Sequence, residues 1–331
     1  MIIHLNKNIS KEKAQQLAEK YQSSWLENDK LILVTSSKLK TADDELKKSA
    51  DEIFITDTDI QIASKQYIST KREITIGDIT VGGNTNNTLV ITGPCSVESE
   101  EQIESAAKLC VELGVKVLRA GAYKPRTSPY TFQGMGLAGL KLLDKMRSKY
   151  GLKIITEVRD STHVDEIIEY ADIIQIGAKS MYDHGILRKC GNTRKPVLLK
   201  RGFGTTLQEF VQSAEFILSG GNPNVMLCER GIRTFETKTR FTLDLCGAAW
   251  LKQNTNLPVV LDPSHAIGYA YGVPDLARAC VAMGIDGLLI ESHPNPKVAK
   301  SDAEQQLNFD EFRKLYGSLK TVASAVGYKV V

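Results

Sequence analysis

From Thr88 onward the chain repeats a pattern that few folds can satisfy. Short, almost continuously apolar segments alternate with stretches of helical spacing: TLVITGPC (88–95), KVLRAGA (116–122), KIITEV (153–158), IIQIGA (173–178), PVLLKRG (196–202), VMLCERG (225–231), PVVLDPSH (258–265) and GLLIESHP (287–294). A strand with one wet face alternates apolar and polar residues, whereas a run rich in Val, Ile and Leu without alternation is covered on both faces, as in a parallel sheet flanked by helices. The intervening segments carry helix punctuation. Ser99 with Gln102 predicts a capping box ahead of the stripe Ile103, Ala106, Cys110 and Leu113, with Gly114 as the stop, and Thr206 with Glu209 predicts a second box. Eight strand–helix units in about 240 residues match a (β/α)8 TIM barrel. An open doubly wound sheet is the alternative, but the turn after the first strand is not of the Gly-rich GxGxxG type and there is no P-loop.

The N-terminal segment reads differently. Residues 1–70 give the order β-α-β-β-α-β: MIIHL, a polar helix over 11–21, the strands SSWLE and KLILVTS joined by a turn at Asn28-Asp29, the helix TADDELKKSAD and the strand EIFITD. That order predicts a small ferredoxin-like α+β domain. Residues 71–331 then form the barrel, and EITIGDITVGG (73–83) alternates as a hairpin that seals one of its ends.

Several function classes are excluded by composition. A net charge of +3 with no basic stripe interleaved with aromatics argues against nucleic acid, and no apolar run approaches a membrane span. MIIHLNKN has no export signal, and the six cysteines lack CxxC spacing, so a cytoplasmic protein with reduced thiols is expected.

Barrel enzymes place their chemistry at the C-terminal ends of the strands. Here those ends carry Cys95 (first strand), Arg119 and Lys124 (second), Glu157 (third), Lys179 (fourth), Lys200 and Arg201 (fifth), Glu229 and Arg230 (sixth), Asp262 and His265 (seventh), and Glu291, His293 and Asp302 (eighth). In a closed ring the seventh, eighth and first strands are neighbours. One arc of the mouth therefore gathers Cys95, His265, Glu291 and Asp302, a mixed soft and hard donor set for one divalent ion: Mn²⁺, Fe²⁺, Co²⁺, Zn²⁺ or Cu²⁺. The opposite arc gathers Arg119, Lys124, Lys179, Lys200 and Arg230, an anion site for phosphorylated small molecules, unless Glu157, Glu229 and Asp262 absorb these charges in ion pairs.

GPCS (93–96), LRAGAYKPRTSP (118–129), IQIGAK (174–179), LLKRG (198–202), CERGIRTFE (228–236), LDPSHAIG (261–268) and ESHP (291–294) together resemble 3-deoxy-D-arabino-heptulosonate 7-phosphate (DAHP) synthases. The likeness is to the microbial subgroup related to 3-deoxy-octulosonate 8-phosphate synthase, some members of which carry an N-terminal ferredoxin-like domain. It implies condensation of phosphoenolpyruvate with erythrose 4-phosphate and release of phosphate, the first step of the shikimate pathway. It implies one divalent metal on Cys95, His265, Glu291 and Asp302, with Cys95, His265 and Lys124 in the catalytic machinery. Phosphoenolpyruvate falls to Arg119, Lys200 and Arg230, with Lys179 where the family has an arginine, and Glu157 joins the substrate-binding set. The sugar phosphate falls to Lys124, Arg126 and Thr127. A homotetramer is implied, and an aromatic amino acid effector at residues 1–70, with a role in assembly alone as the alternative. Two rival functions stand beside it: octulosonate synthesis from arabinose 5-phosphate, against which the KPRTS element argues, and a non-catalytic regulatory barrel. The sequence departs from the family at SDAEQQL (301–307), where SDG is common. Ala303 reaches positive φ less easily than glycine, and this bears on where Asp302 sits.

Overall fold

The computed structural model describes all 331 residues except 28, 29, 125–127 and 129. The N-terminal unit consists of β1 (Ile2–Leu5), α1 (Lys11–Lys20), β2 (Ser24–Glu27), β3 (Leu31–Val34), α2 (Asp44–Ser49) and β4 (Ala50–Phe54). Its sheet has the order β2-β3-β1-β4 with every pairing antiparallel, the ferredoxin-like arrangement. Leu5, Leu17, Leu33 and Leu46 form a core of its own under the two helices. The turn expected at Asn28-Asp29 lies outside the described residues.

Residues 60–72 lead to an antiparallel hairpin, β5 (Glu73–Ile76) and β6 (Ile79–Gly82). Its alternation has a purpose: Ile74, Ile76, Ile79 and Val81 are buried with Leu89, Val117, Leu198 and Val260 inside the barrel, so the hairpin plugs the end opposite the site.

The barrel strands are β7 (Asn87–Gly93), β8 (Val117–Arg119), β9 (Lys153–Val158), β10 (Ile173–Ile176), β11 (Val197–Lys200), β12 (Val225–Glu229), β13 (Val259–Leu261) and β14 (Gly287–Glu291). All are parallel, each pairs with the next, and β14 pairs with β7 to close the ring. A two-residue strand, β15 (Lys329–Val330), adds to the start of β7, a feature the sequence pattern does not announce. The outer ring comprises α3 (Glu100–Leu113), α4 (Leu137–Tyr150), α5 (Val164–Tyr170), α6 (His184–Gly191), α7 (Leu207–Ser219) and α8 (Leu245–Asn254); a short α9 (Pro263–Ile267) precedes α10 (Val273–Ala282) and α11 (Phe309–Ala325). Among the described residues no helix is long and apolar enough to cross a membrane.

The predicted capping boxes part ways. Thr206 and Glu209 form both reciprocal bonds at α7. At α3, Ser99 accepts from the Gln102 N–H, but the Gln102 side chain does not return the bond. Its oxygen takes the Glu98 N–H and its amide donates to the Ser96 carbonyl, drawn away by the loop that follows Cys95.

Candidate active site

The C-terminal end of β7 bends sharply. Gly93 has φ 141°, and a Cβ there would stand 2.2 Å from the Arg119 carbonyl oxygen, so only glycine lets β7 and β8 come this close. The bend delivers Cys95, fully buried, to the mouth of the barrel. Its N–H donates to Gln306 Oε1 at 2.9 Å, while its Sγ lies 2.9 Å from Ser301 Oγ, 3.3 Å from Asp302 Oδ2 and 3.2 Å from Lys124 Nζ. Burial pushes the thiol up to about 12, so without a bound cation it keeps its proton.

Glu291 ends β14 with no exposed surface. Its Oε2 accepts from Gln305 Nε2 at 2.7 Å, and its Oε1 accepts from Arg119 and lies 3.5 Å from His265 Nε2. Burial raises the carboxyl, but His265 and Arg119 more than offset this and hold it below the usual range. Asp302 is likewise lowered against the cost of burial, by His265, Arg240 and Lys124. The donor atoms of Cys95, Glu291 and Asp302 lie within 4.8 Å of one another. His265, the fourth expected ligand, stands outside that tight set and reaches it through Glu291. Its Nδ1 lies 2.7 Å from Asp262 Oδ2, an ionic approach without hydrogen-bond alignment, which leaves Nε2 turned to the cluster.

The donor set fits a divalent cation. A thiol, two carboxylates and an imidazole converge from three adjacent strand ends, and a carboxylate sits behind the imidazole where it would fix the ring and its tautomer. The concern over Ala303 resolves differently from the sequence expectation. The left-handed residue is Asp302 itself (φ 47°, ψ 44°), and Ala303 opens a 3₁₀ turn. Asp tolerates that conformation far better than most residues, so the turn forms here without a glycine at 303.

A cavity of about 530 Å³ opens beside the cluster, lined by Lys124, Glu157, Lys179, Lys200, Arg230, His265 and Asp302 among others. Some of its cations are paired as anticipated. Lys200 Nζ is 2.7 Å from Asp262 Oδ2, and Arg201 is bound to Glu229 at 2.9 Å and to Asp244 at 2.8 Å, which makes it part of the wall. Arg230 differs: it is buried, and its Nη1 has no hydrogen-bond partner among the described residues. Glu157 is oriented by Gln175 Nε2 at 2.8 Å.

Two of the expected substrate cations also touch the donor cluster. Arg119 does not line the cavity with the other cations; it donates to Glu291 and to the Pro94 carbonyl, inside the donor cluster. Lys124 also touches the cluster, through the Cys95 thiol and carbonyl at 3.2 Å each. The two arcs therefore meet at Arg119 and Lys124. Arg126 and Thr127 lie outside the described residues. Sequence reasoning missed Phe203, Phe241, Arg233 and Arg240, which also line the cavity. Phe203 stacks on Phe241 at 5.5 Å, with Arg233 4.8 Å over the first ring and Arg230 4.4 Å over the second. Arg–aromatic alternation in GIRTFETKTRF (231–241) is the signal for Arg233, Arg240 and Phe241, while Phe203 carries none.

A family model described as the DAHP synthetase I family matches residues 59–327. The chain belongs to the DAHP synthetase I family. Within it, the chain is 45% identical over 270 residues to a phospho-2-dehydro-3-deoxyheptonate aldolase from Thermotoga maritima, covering 82% of this chain and 79% of the relative. It is 33% identical over 257 residues to 2-dehydro-3-deoxyphosphooctonate aldolase 1 of Arabidopsis thaliana, covering 71% and 88%. The crystal structure of the DAHP synthase of Thermotoga maritima superposes with a TM-score of 0.81 at 39% identity, over 100% of this chain and 99% of that one. A truncated form of the Thermotoga enzyme superposes at 0.76 with 42% identity, over 82% of this chain and 98% of that one. The match to the longer structure thus includes the N-terminal ferredoxin-like unit as well as the barrel.

Proposed function

We propose that this enzyme condenses phosphoenolpyruvate with erythrose 4-phosphate to give DAHP and inorganic phosphate. The observation that carries the reading is the contact between a thiol–carboxylate cluster and a cavity rimmed by Lys124, Lys179, Lys200 and Arg230. Two anionic substrates need such cations, and an aldehyde under attack needs its developing oxyanion stabilised. The heptonate relative is the more similar of the two named activities, at 45% against 33% identity, which favours erythrose 4-phosphate over arabinose 5-phosphate.

In this reading Cys95, His265, Glu291 and Asp302 hold the divalent ion. When bound, that ion supplies Lewis acidity beside the aldehyde oxygen. Lys200 and Arg230 bind and orient phosphoenolpyruvate from the cavity wall, and Arg119, whose Nε has no hydrogen-bond partner among the described residues, is the third donor offered to it from beside the cluster. Arg230 brings an unsatisfied donor, and its stack on Phe241 keeps the guanidinium plane fixed. Lys179 adds charge without the bidentate fork. Lys124 is buried where cluster and cavity join. Burial lowers its pKa, but Cys95 and Glu157 outweigh that and keep the ammonium protonated, so it holds a proton beside the developing alkoxide. Glu157 orients the sugar hydroxyls from the third strand, and Arg126 and Thr127 take the sugar phosphate. The new C–C bond joins C3 of phosphoenolpyruvate to the aldehyde carbon. Water then adds at C2, and phosphate departs by C–O cleavage.

Phosphate release should be measured with each sugar phosphate, across a metal series and after treatment with a chelator. Erythrose 4-phosphate is expected to be the faster substrate, and the chelator to abolish turnover until a divalent ion is returned. Faster turnover of arabinose 5-phosphate would assign the octulosonate reaction instead, and release of no phosphate with either sugar would leave a regulatory barrel.

The same assay addresses residues 1–70, for which an aromatic amino acid effector is proposed because the unit has its own core yet adjoins the barrel. The Glu215 carboxylate on α7 accepts the N–H groups of Gln61, Ile62 and Ala63 at 2.7, 3.1 and 2.8 Å, tying the segment after that unit to the barrel. Tyrosine or phenylalanine is expected to inhibit the full chain and not a chain lacking residues 1–70. Equal response of the two chains overturns the sensor role.

A further inference from the structure

Two loops, the one after β7 and the one after β14, meet at a carboxylate that touches no expected ligand or substrate. Glu98 lies three residues beyond Cys95, in the loop between β7 and α3, and its side chain is 8% exposed. Its Oε1 accepts the Lys300 N–H at 2.9 Å and the Ser96 hydroxyl at 3.1 Å. Its Oε2 faces His293 Nε2 at 3.6 Å, beyond hydrogen-bond range but within an ionic approach. Lys300 stands two residues before Asp302, and His293 two residues after Glu291. One carboxylate thus ties the loop that carries Cys95 to both ends of the segment between Glu291 and Asp302.

The His293 ring has a defined orientation. Its Nδ1 accepts the Asn295 N–H at 3.0 Å, so in the neutral ring the proton sits on Nε2, which points at Glu98. That nitrogen has no hydrogen-bond partner among the described residues, and the residue is 2% exposed. A buried N–H without a hydrogen-bond partner is costly, and the facing carboxylate offsets that cost. Burial raises the Glu98 carboxyl, but His293 and the Lys300 N–H outweigh it, so the group is ionised at neutral pH. The tie also extends to the second strand's loop, because the Lys300 ammonium lies 5.2 Å over the Phe132 ring.

We propose that Glu98 is a positioning residue that holds the loop after β7 and the loop after β14 in register for the divalent ion. The inference rests on the reading of Cys95, Glu291 and Asp302 as ligands. Those ligands are not preset by their strands alone. Cys95 lies two residues beyond the end of β7, and Asp302 lies eleven residues beyond the end of β14 in a left-handed conformation. The segment from Ser292 to Asp302 includes only a short 3₁₀ turn, so loop-to-loop bonds must fix the distance from Asp302 Oδ2 to Cys95 Sγ. Outer groups that orient ligands typically contribute about ten- to a hundredfold to metal affinity.

The test is a Co²⁺ titration of the metal-free full chain, read by the thiolate-to-cobalt absorbance band and by competition with a chelator. Wild type is expected to show the band, and its absence would overturn the ligand reading itself. Glu98→Gln keeps the size and two acceptor lone pairs but removes the charge. It is expected to weaken Co²⁺ binding by about ten- to a hundredfold and to shift the band, with the metal-free melting curve close to wild type. His293→Phe keeps the ring volume, removes the N–H aimed at Glu98 and is expected to weaken binding in the same direction. A wild-type band together with unchanged Co²⁺ affinity in a folded Glu98→Gln or His293→Phe chain would overturn the positioning role. Loss in both variants, with folding retained, would support it.

Discussion

Replacing Cys95 with alanine is expected to lower metal-dependent turnover by on the order of 10³-fold while the barrel stays folded. The two halves of this expectation have separate physical sources. A divalent Lewis acid contributes several kcal/mol to the stabilisation of a developing alkoxide, and about 4 kcal/mol is a factor of 10³. The thiolate is the softest donor in the cluster, and Glu291 and Asp302 remain without it as a purely hard pair. On the folding side, Cys95 is a small buried side chain, and its removal leaves a cavity of one sulfur atom, costing about 1 kcal/mol. Lys124 keeps its second acceptor, the Cys95 carbonyl at 3.2 Å, so its ammonium is not stranded. Bound metal, phosphate release and the thermal melting curve should be followed on one preparation. Full turnover of Cys95→Ala in the presence of a chelator would remove the metal from the mechanism.

Cys95 was legible in the sequence because its position follows from arithmetic on strand ends. Strands covered on both faces read as unbroken apolar runs, so the eight were countable, and whatever polar residue terminates each run must lie at the mouth. The same logic picked out His265, Glu291 and the Lys200–Arg230 wall. It fails where a contact depends on which side chains meet across the barrel. Arg119 and Glu291 are 172 residues apart, and no periodicity says that the arginine of the second strand donates to the carboxylate of the eighth. Strand-end counting also has no grip on the layer behind the ligands. Gln305 steadies Glu291, and Gln306 takes the Cys95 N–H, from a loop whose path only the fold defines. At Ser99 the local rule for a capping box lost to tertiary bonds from Gln102. At Asp302 attention to the missing glycine fell one residue late, since the left-handed conformation belongs to the aspartate.

Arg119→Met is expected to destabilise the metal-free protein by about 3–5 kcal/mol, and the metal-loaded protein by less. Methionine retains most of the stem that packs in the core and deletes only the fork, so the change isolates charge. Arg119 is 2% exposed and Glu291 is fully buried, and neither can recover solvation when its partner is lost. In the metal-free state Glu291 would then face the Gln305 amide, His265 and the more distant Lys124 charge, and a buried carboxylate without a full counter-charge is among the costliest defects a core can hold. Burial lowers the pKa of Arg119, but Glu291 beside it more than offsets this, so the guanidinium stays charged against the carboxylate. A divalent ion bound to Glu291 supplies the missing positive charge from the other side. The penalty measured by denaturant unfolding should therefore shrink by at least about 1 kcal/mol when the ion is present, the signature of two groups coupled through one carboxylate. Turnover should fall by about 10²–10³-fold in either case, because phosphoenolpyruvate loses a donor that the ion does not replace. An identical stability penalty with and without the ion would mean that Glu291 is the partner of Arg119 only, and the divalent site would then have to be built from Cys95, Asp302 and His265 without it.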